Sequence, residues 1–278
     1  MLTGKPSDIL VCVGDLHLND TTGLCPPEFK RANRDVHLPG VGQRFLWKAW
    51  TDIWATVAER KCKTGATVYL SWGGDLMDQN KYSHAELITT VKANIQTAMH
   101  QAAEPALAVA DYNFLVRGTT AHVGELAELE EEFAKDIKAE ACPSTGSYTW
   151  PVLPLEIANV TFEIAHRPPC STQRVDGRNQ AVSRSVVRMV TRCLNQRASP
   201  AMVYVWHHAH YSAVGSEMGS HGFQVPCLKL VGAFGYEKCG VGTIVEPVGV
   251  LMFEIAGGDW RHEFLRYSPR RIKPWTKS

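Results

Sequence analysis

The sequence predicts an α/β sandwich, on three observations. Short apolar runs alternate with amphipathic helical stretches early in the chain, strand-like runs dominate late, and no repeat, low-complexity tract or linker interrupts it. A single domain over residues 1–278 is therefore expected. The chain is long enough to bury a sizeable core, with 45% apolar and 21% charged residues. With 29 basic and 28 acidic side chains, overall charge steers it toward neither nucleic acid nor membrane, although a local basic patch is compatible with that balance. The eight cysteines form no CxxC pair, and the start MLTGKPSDILVCVGD lacks the layout of a signal peptide. No apolar run reaches the length of about 18 residues that a membrane span needs. Reduced thiols in a cytoplasmic protein are expected.

The first strand is expected over residues 9–13, a continuous apolar run suited to burial on both faces. A polar loop follows over 19–41. GQRFLWKAWTDIWATVAERK then places Phe45, Leu46, Ala49, Trp50, Ile53, Trp54 and Val57 at helical spacing, with the tryptophans read as core. A strand over 67–71 leads into GGDLMD, and a long helix over 83–104 is expected to stop before Pro105. The strand over 113–116 leads into RGTTAHVGE and a Glu-rich helix whose acidic run, 125–132, reads as a solvated face. Residues 148–165 read as two or three strands ending in FEIAHRP, and a helix over 179–196 precedes the run VYVWHHAHYSA. The chain closes with the hairpin-like VGVLMFEIAGGDWRHEFLRY.

Ionisable residues gather at the C-terminal ends of these expected strands, where open α/β sheets build their sites. The first strand runs into Gly14-Asp15-Leu16-His17 and the second into Gly73-Gly74-Asp75-Leu76-Met77-Asp78. The third precedes His122, a later one ends at His166, and VYVWHHAHYSA ends in His207, His208 and His210. Side chains two apart on an extended chain share a face, so Asp15 goes with His17, His208 goes with His210, and His207 turns away. Mixed carboxylate and imidazole ligands suit Mn, Fe, Zn or Ni better than Ca or Mg. One DxH or HxH alone is weak, but five such fragments in order, each after a strand, form a strong signal.

DLH, GGDLMD, AHR and HHAH, in that order, resemble the calcineurin-like metallophosphoesterase superfamily, whose pattern is DxH, GDxxD, GNH(D/E), a single His and GHxH. The resemblance covers residues 15–210. It implies an α/β/β/α sandwich of two mixed sheets flanked by helices, with the late strands and terminal hairpin forming the second sheet. It also implies two divalent transition metal ions, one held by Asp15, His17 and His210 and one by His166 and His208, with Asp75 bridging and Asp78 orienting a catalytic His122. Two departures stand out. His207 replaces the family's Gly and is given no ligand role. RGTTAHVGE replaces GNH(D/E), so Thr119 stands where an Asn completes the second metal site, and Thr119 or a water would fill that position. His122 is displaced by two residues, and either reaches the phosphate through a bulged loop or is structural.

Two metals about 3.5–4 Å apart would clamp a phosphoryl group and supply hydroxide near neutral pH. On the family's pattern a protonated His122 would donate to the leaving alkoxide. Arg117 or Arg167 would stabilise the non-bridging oxygens, Arg167 being preferred because it adjoins His166, and a plain surface ion pair is the alternative for either. The activity implied is hydrolysis of phosphate mono- or diesters, foremost nucleotide or other small phosphodiesters. A nuclease is less favoured, because no long basic stripe with interleaved aromatics appears. A protein phosphatase would extend GDxxD with RG, where this chain has Gln79-Asn80. A catalytically silent scaffold and a mononuclear zinc amidohydrolase are the rivals from other classes. Residues 25–44, with Lys30, Arg31, Arg34 and Arg44, read as a basic rim or lid, and residues 214–229, with His221, as an opposite loop wall. The basic tail SPRRIKPWTKS reads as a solubilising end.

Overall fold

The computed structural model describes residues 2, 4–31, 35–79, 86–171, 175–231 and 246–269. In chain order the strands are β1 (Asp8–Val13), β2 (Phe29–Lys30), β3 (Val36–His37), β4 (Thr67–Trp72), β5 (Tyr112–Val116), β6 (Thr149–Trp150) and β7 (Leu153–Ile157). They continue with β8 (Val160–Ala165), β9 (Val203–Trp206), β10 (Ala213–Glu217), β11 (Ser220–Gln224), β12 (Val248–Ala256) and β13 (Asp259–Tyr267). The helices are α1 (Val41–Thr64), α2 (Lys92–Leu107), α3 (Thr120–Val123), α4 (Glu128–Asp136) and α5 (Arg178–Asn195).

Two mixed sheets form, in the order β13-β12-β1-β4-β5-β6 and β10-β11-β9-β8-β7. The apolar run of β1 explains the layering. Ile9, Val11 and Val13 face a core shared with Trp50, Trp54, Ala98 and Phe133 of α1, α2 and α4. Leu10 and Cys12 face the other way, into a core with Phe162, Ile164, Val203 and Phe223 of the second sheet. A third cluster packs Val182, Val186 and Val190 of α5 on Tyr204 and Trp206 of β9. The result is the expected α/β/β/α sandwich of two mixed sheets flanked by helices. The tryptophans of α1 are core, with Trp50 Nε1 donating to Ala102 O at 2.7 Å. Among the described residues no helix is long and apolar enough to cross a membrane.

Four expectations change. The terminal hairpin joins the first sheet, because β12 pairs antiparallel with β1 from Asp8↔Ile255 to Cys12↔Leu251. Residues 214–224 are not a loop but the pair β10–β11, and β11 runs parallel to β9. His221 thus lies opposite Val203, at the start of β9 and away from its histidine-bearing end, where its ring meets Trp260. Helix α2 begins later than predicted and carries Pro105 within its last turn. Residues 83–85 fall outside the described ones, and the segment before Lys92 is held non-helical by Asn19, whose side chain bonds Thr89 N at 2.9 Å and Thr89 O at 3.0 Å. The fourth, the acidic run of α4, bears on the site.

Candidate metal centre

Strands β1 and β4 end at Val13 and Trp72, but their parallel pairing continues into the loops. Asp15 N donates to Gly74 O at 2.9 Å, His17 N to Asp75 O at 3.1 Å and Leu18 N to Leu76 O at 2.9 Å. Asp78 N returns to Leu18 O at 2.8 Å. The DLH and GDLMD segments are thereby locked side by side. Asp15, His17, Asp75, His208 and His210 all have positive φ, between 45° and 73°. Left-handed backbone is costly for non-glycine residues and clusters at functional sites. Left-handed backbone, not the strand pleat that sequence alternation suggests, therefore aims these side chains, and it sends His208 and His210 to different groups.

Two groups of ligand-type atoms result. Asp15 Oδ1 lies 3.3 Å from His210 Nε2 and 3.9 Å from His17 Nε2, and the two imidazole nitrogens are 3.1 Å apart. His166 Nε2 lies 3.0 Å from Asp75 Oδ2 and 3.2 Å from His208 Nδ1. Ligand atoms about 2.1 Å from one ion stand about 3.0 Å apart at octahedral angles and about 3.4 Å at tetrahedral ones. Four of these separations match that spacing, and the 3.9 Å between Asp15 and His17 is about 0.5 Å wider. Asp75 also closes a third group with His17 and His122, so it faces the first group as well as its own. Asp15 Oδ1 is buried and makes no hydrogen bond, a state that a bound cation would relieve.

The outer nitrogens fix the tautomers. His166 Nδ1 donates to Gly73 O at 2.6 Å, which leaves Nε2 as its lone-pair nitrogen. Asp78 serves two rings at once: Oδ2 faces His17 Nδ1 at 3.1 Å, and Oδ1 is hydrogen bonded to His122 Nδ1. The Asp78–His122 pair named from the sequence is therefore formed despite the displaced histidine. Burial disfavours its charge, yet Asp78 is held below the usual carboxylate range by His17, by the His122 bond and by Lys229. Against burial, the Asp75 and Asp15 carboxylates hold His166 up at about 9, whereas burial and the neighbouring His166 push His208 down to about 4. A proton on His166 must leave before a metal can bind there.

Thr119 takes a different part from the Asn it replaces. Its amide donates to Asp75 Oδ1 at 2.6 Å, and its hydroxyl lies 3.1 and 3.0 Å from the two Asp75 oxygens. Arg117 points away, its guanidinium donating to Thr149 Oγ1 at 3.1 and 3.3 Å. Arg167 is exposed and, among the described residues, has no hydrogen bond or ion pair; its charge acts on His208. Lys30, Arg31 and Arg44 are exposed on a segment anchored by buried Cys25 and Phe29; Arg34 lies outside the described residues, as do Asn80 and the tail beyond Pro269.

His207 turns from the ligand groups, as expected, but not toward solvent. Its ring is fully buried against the backbone of Gly14 and Gly73, with neither nitrogen hydrogen bonded, and burial pushes its pKa down to about 4. Two participants escaped the sequence reading. Lys229 Nζ bonds Asp20 Oδ2 at 2.7 Å and stands 3.6 Å from Asp78 Oδ2; a lone lysine in a loop gives no pattern to notice. Glu130 is 0% exposed, and burial, with Asp75 nearby, pushes its carboxyl up to about 7. A signal existed here, because Glu130 precedes Phe133 and Ala134 by three and four residues and so shares their buried face.

No protein-family model matches the chain, and no curated protein matches it. Solved structures do align along nearly its whole length. Vps29 of Entamoeba histolytica, complexed with Zn2+, is 12% identical, covering 93% of this chain and 98% of its own at a TM-score of 0.39. A novel archaeal phosphodiesterase is 13% identical, with 92% and 99% covered and a TM-score of 0.43. GAP50, the anchor in the inner membrane complex of Plasmodium, is 8% identical, with 96% and 89% covered and a TM-score of 0.45. At these values the site stands on its own residues. In motif order, in two-sheet layering and in the groups gathered at its strand ends, the chain resembles the calcineurin-like metallophosphoesterases.

Proposed function

We propose that the chain is a metal-dependent phosphoesterase whose favoured substrates are phosphodiesters of nucleotide or other small-molecule type. The observation that supports this most is the pair of three-residue groups, Asp15–His17–His210 and Asp75–His166–His208, with a buried Asp15 oxygen that makes no hydrogen bond. Asp15, His17 and His210 would hold one divalent ion and His166 and His208 a second, with Asp75 between them. Mn, Fe, Zn or Ni suits such donors and, when bound, supplies Lewis acidity and a hydroxide nucleophile near neutral pH. His122, anchored through Nδ1 by Asp78, keeps its other nitrogen for the leaving oxygen and protonates it. Asp78 fixes that ring and favours its charged form, and His122 accordingly stays protonated to higher pH than an ordinary histidine, despite burial. Arg167, unpaired at the rim, places its fork on the non-bridging oxygens. The seven described cysteines are free, which supports a cytoplasmic setting.

A second reading, a silent scaffold of the same fold, is favoured by one observation: Thr119 places donors on both oxygens of Asp75. The test is a panel of bis(p-nitrophenyl) phosphate, p-nitrophenyl phosphate, cyclic nucleotides and single-stranded DNA, run with Mn, Zn and Ni beside metal analysis. Diester turnover that rises with bound metal supports the enzyme. Two bound ions with no turnover of any substrate would leave the scaffold.

A further inference from the structure

Two consecutive glutamates of α4 hold the loop that carries Thr119 and the start of β6 beside it. Glu130 Oε1 accepts from Leu76 N at 3.1 Å, and Oε2 accepts from Gly118 N at 2.9 Å. One carboxylate thus joins the residue after Asp75 to the residue before Thr119. The two loops touch there. A Cβ on Gly118 would stand 2.3 Å from Asp75 N and 2.4 Å from Asp75 Oδ1, so only glycine allows the approach. Glu131 holds the segment entering β6, with Oε1 accepting from Tyr148 N at 3.0 Å and Oε2 from Thr149 N at 3.0 Å, Thr149 Oγ1 at 2.9 Å and Ser147 Oγ at 2.6 Å. Thr149 Oγ1 is also the group that receives Arg117.

A buried carboxylate is expensive, and Glu130 has no ion-pair partner among the described residues. It satisfies two backbone N–H groups that would otherwise be orphaned. Those two groups flank Asp75 and Thr119, in a loop with no Asn side chain to be fastened by a metal. We propose that Glu130, supported by Glu131, is a positioning residue for the second metal. It sets the Asp75 carboxylate, through the Leu76 and Gly118 amides, at the distance from His166 and His208 that one ion requires. The first metal has Asp15, His17 and His210 of its own and shares only Asp75 with the second, so it depends less on Glu130.

This inference rests on the metal-dependent reading, and its test keeps the two apart. The full chain is titrated calorimetrically with Mn2+ and with Co2+, as wild type, Glu130→Gln, Glu131→Gln, His208→Ala and the Glu130→Gln/His208→Ala double variant. Glutamine can accept from only one of the two amides and sets an NH2 against the other. In Glu130→Gln the second metal should bind about 10–100-fold more weakly, the usual effect of losing a group behind the ligands, and the first, which shares only Asp75, should weaken by less than the second. On the His208→Ala background Glu130→Gln should weaken the one remaining metal by less than it weakens the second metal of the otherwise wild-type chain. Unaltered affinities, equal weakening of both metals, or a loss that persists at full size on that background would each overturn the inference. Should Glu130→Gln fail to fold, Glu131→Gln decides alone: selective weakening of the second metal supports the inference, and equal or no weakening overturns it. A wild-type chain that binds no metal overturns the phosphoesterase reading itself.

Discussion

Replacing Gly73 with alanine puts a methyl group where the His207 ring already lies. The added Cβ would stand 2.3 Å from Cδ2, Cε1 and Nε2 of that ring, against about 3.5–4.0 Å for carbon atoms in ordinary contact. The ring cannot yield. It is 0% exposed, and on the Gly14 side a Cβ would come within 2.7 Å of His207 Nδ1. Overpacking of this kind costs about 1–3 kcal/mol. The φ of Gly73 lies outside the left-handed region, so alanine returns about 0.4–1 kcal/mol by restricting the unfolded chain. The net loss is about 1–2 kcal/mol, or about 2–8 °C in Tm for a chain of this size. Urea unfolding of wild type, Gly73→Ala, His207→Ala and the double variant measures it. With the ring gone, Gly73→Ala should be neutral or slightly stabilising, a coupling of about 1–3 kcal/mol. Additive costs, or no cost for Gly73→Ala alone, would refute this packing.

Asp78→Asn leaves one acceptor oxygen for two Nδ1–H groups, so it should weaken metal binding about 10-fold or more and lower turnover; metal titration with unchanged affinity would count against the shared role of Asp78. Against burial, hydrogen bonds from Ser147, Tyr148 and Thr149 hold Glu131 at about 2, below its ordinary 4.5. Because the folded value is the lower one, its contribution, about 3 kcal/mol at most, is complete above pH 4.5 and lost as pH falls through about 2; Glu131→Gln should flatten that part of the stability profile in urea titrations. Arg167→Ala should change stability by less than about 0.5 kcal/mol, because an exposed, unpaired side chain carries little. Its kcat/KM for bis(p-nitrophenyl) phosphate should fall about 10-fold if the guanidinium meets the phosphate, and equal kinetics would remove Arg167 from the site.

The ligand set was legible because polarity appears abruptly where apolar runs end, as at Val13 to Asp15 and Trp206 to His208. The backbone that aims those ligands was not. Nothing in DLH or HHAH announces a left-handed φ at Asp15, His17, His208 and His210; at Asp15 and His17 it accompanies pairing with the neighbouring loop, and at His208 a bond from its N–H to the Asp15 carboxylate. The terminal hairpin was visible as a hairpin, but strand VGVLMFEIA is apolar on both faces and would suit either sheet; only its register with β1 places it. Asn19 shows how a single side chain, bonded to Thr89, overrides helical periodicity upstream of Lys92. Glu130 was hidden by its neighbours: in a run of acidic residues the one on the face of Phe133 and Ala134 looks like the rest until the helix is docked.

The most direct test is the number of metal ions per chain after reconstitution with Mn, Zn or Co, measured by elemental analysis on wild type, His207→Ala and His208→Ala. Two ions in wild type, two in His207→Ala and one in His208→Ala are expected from Nδ1 of His208 facing His166 and the His207 ring lying apart on Gly73. One ion or none in wild type, or the loss of an ion in His207→Ala with His208→Ala unaffected, would contradict the two-metal site.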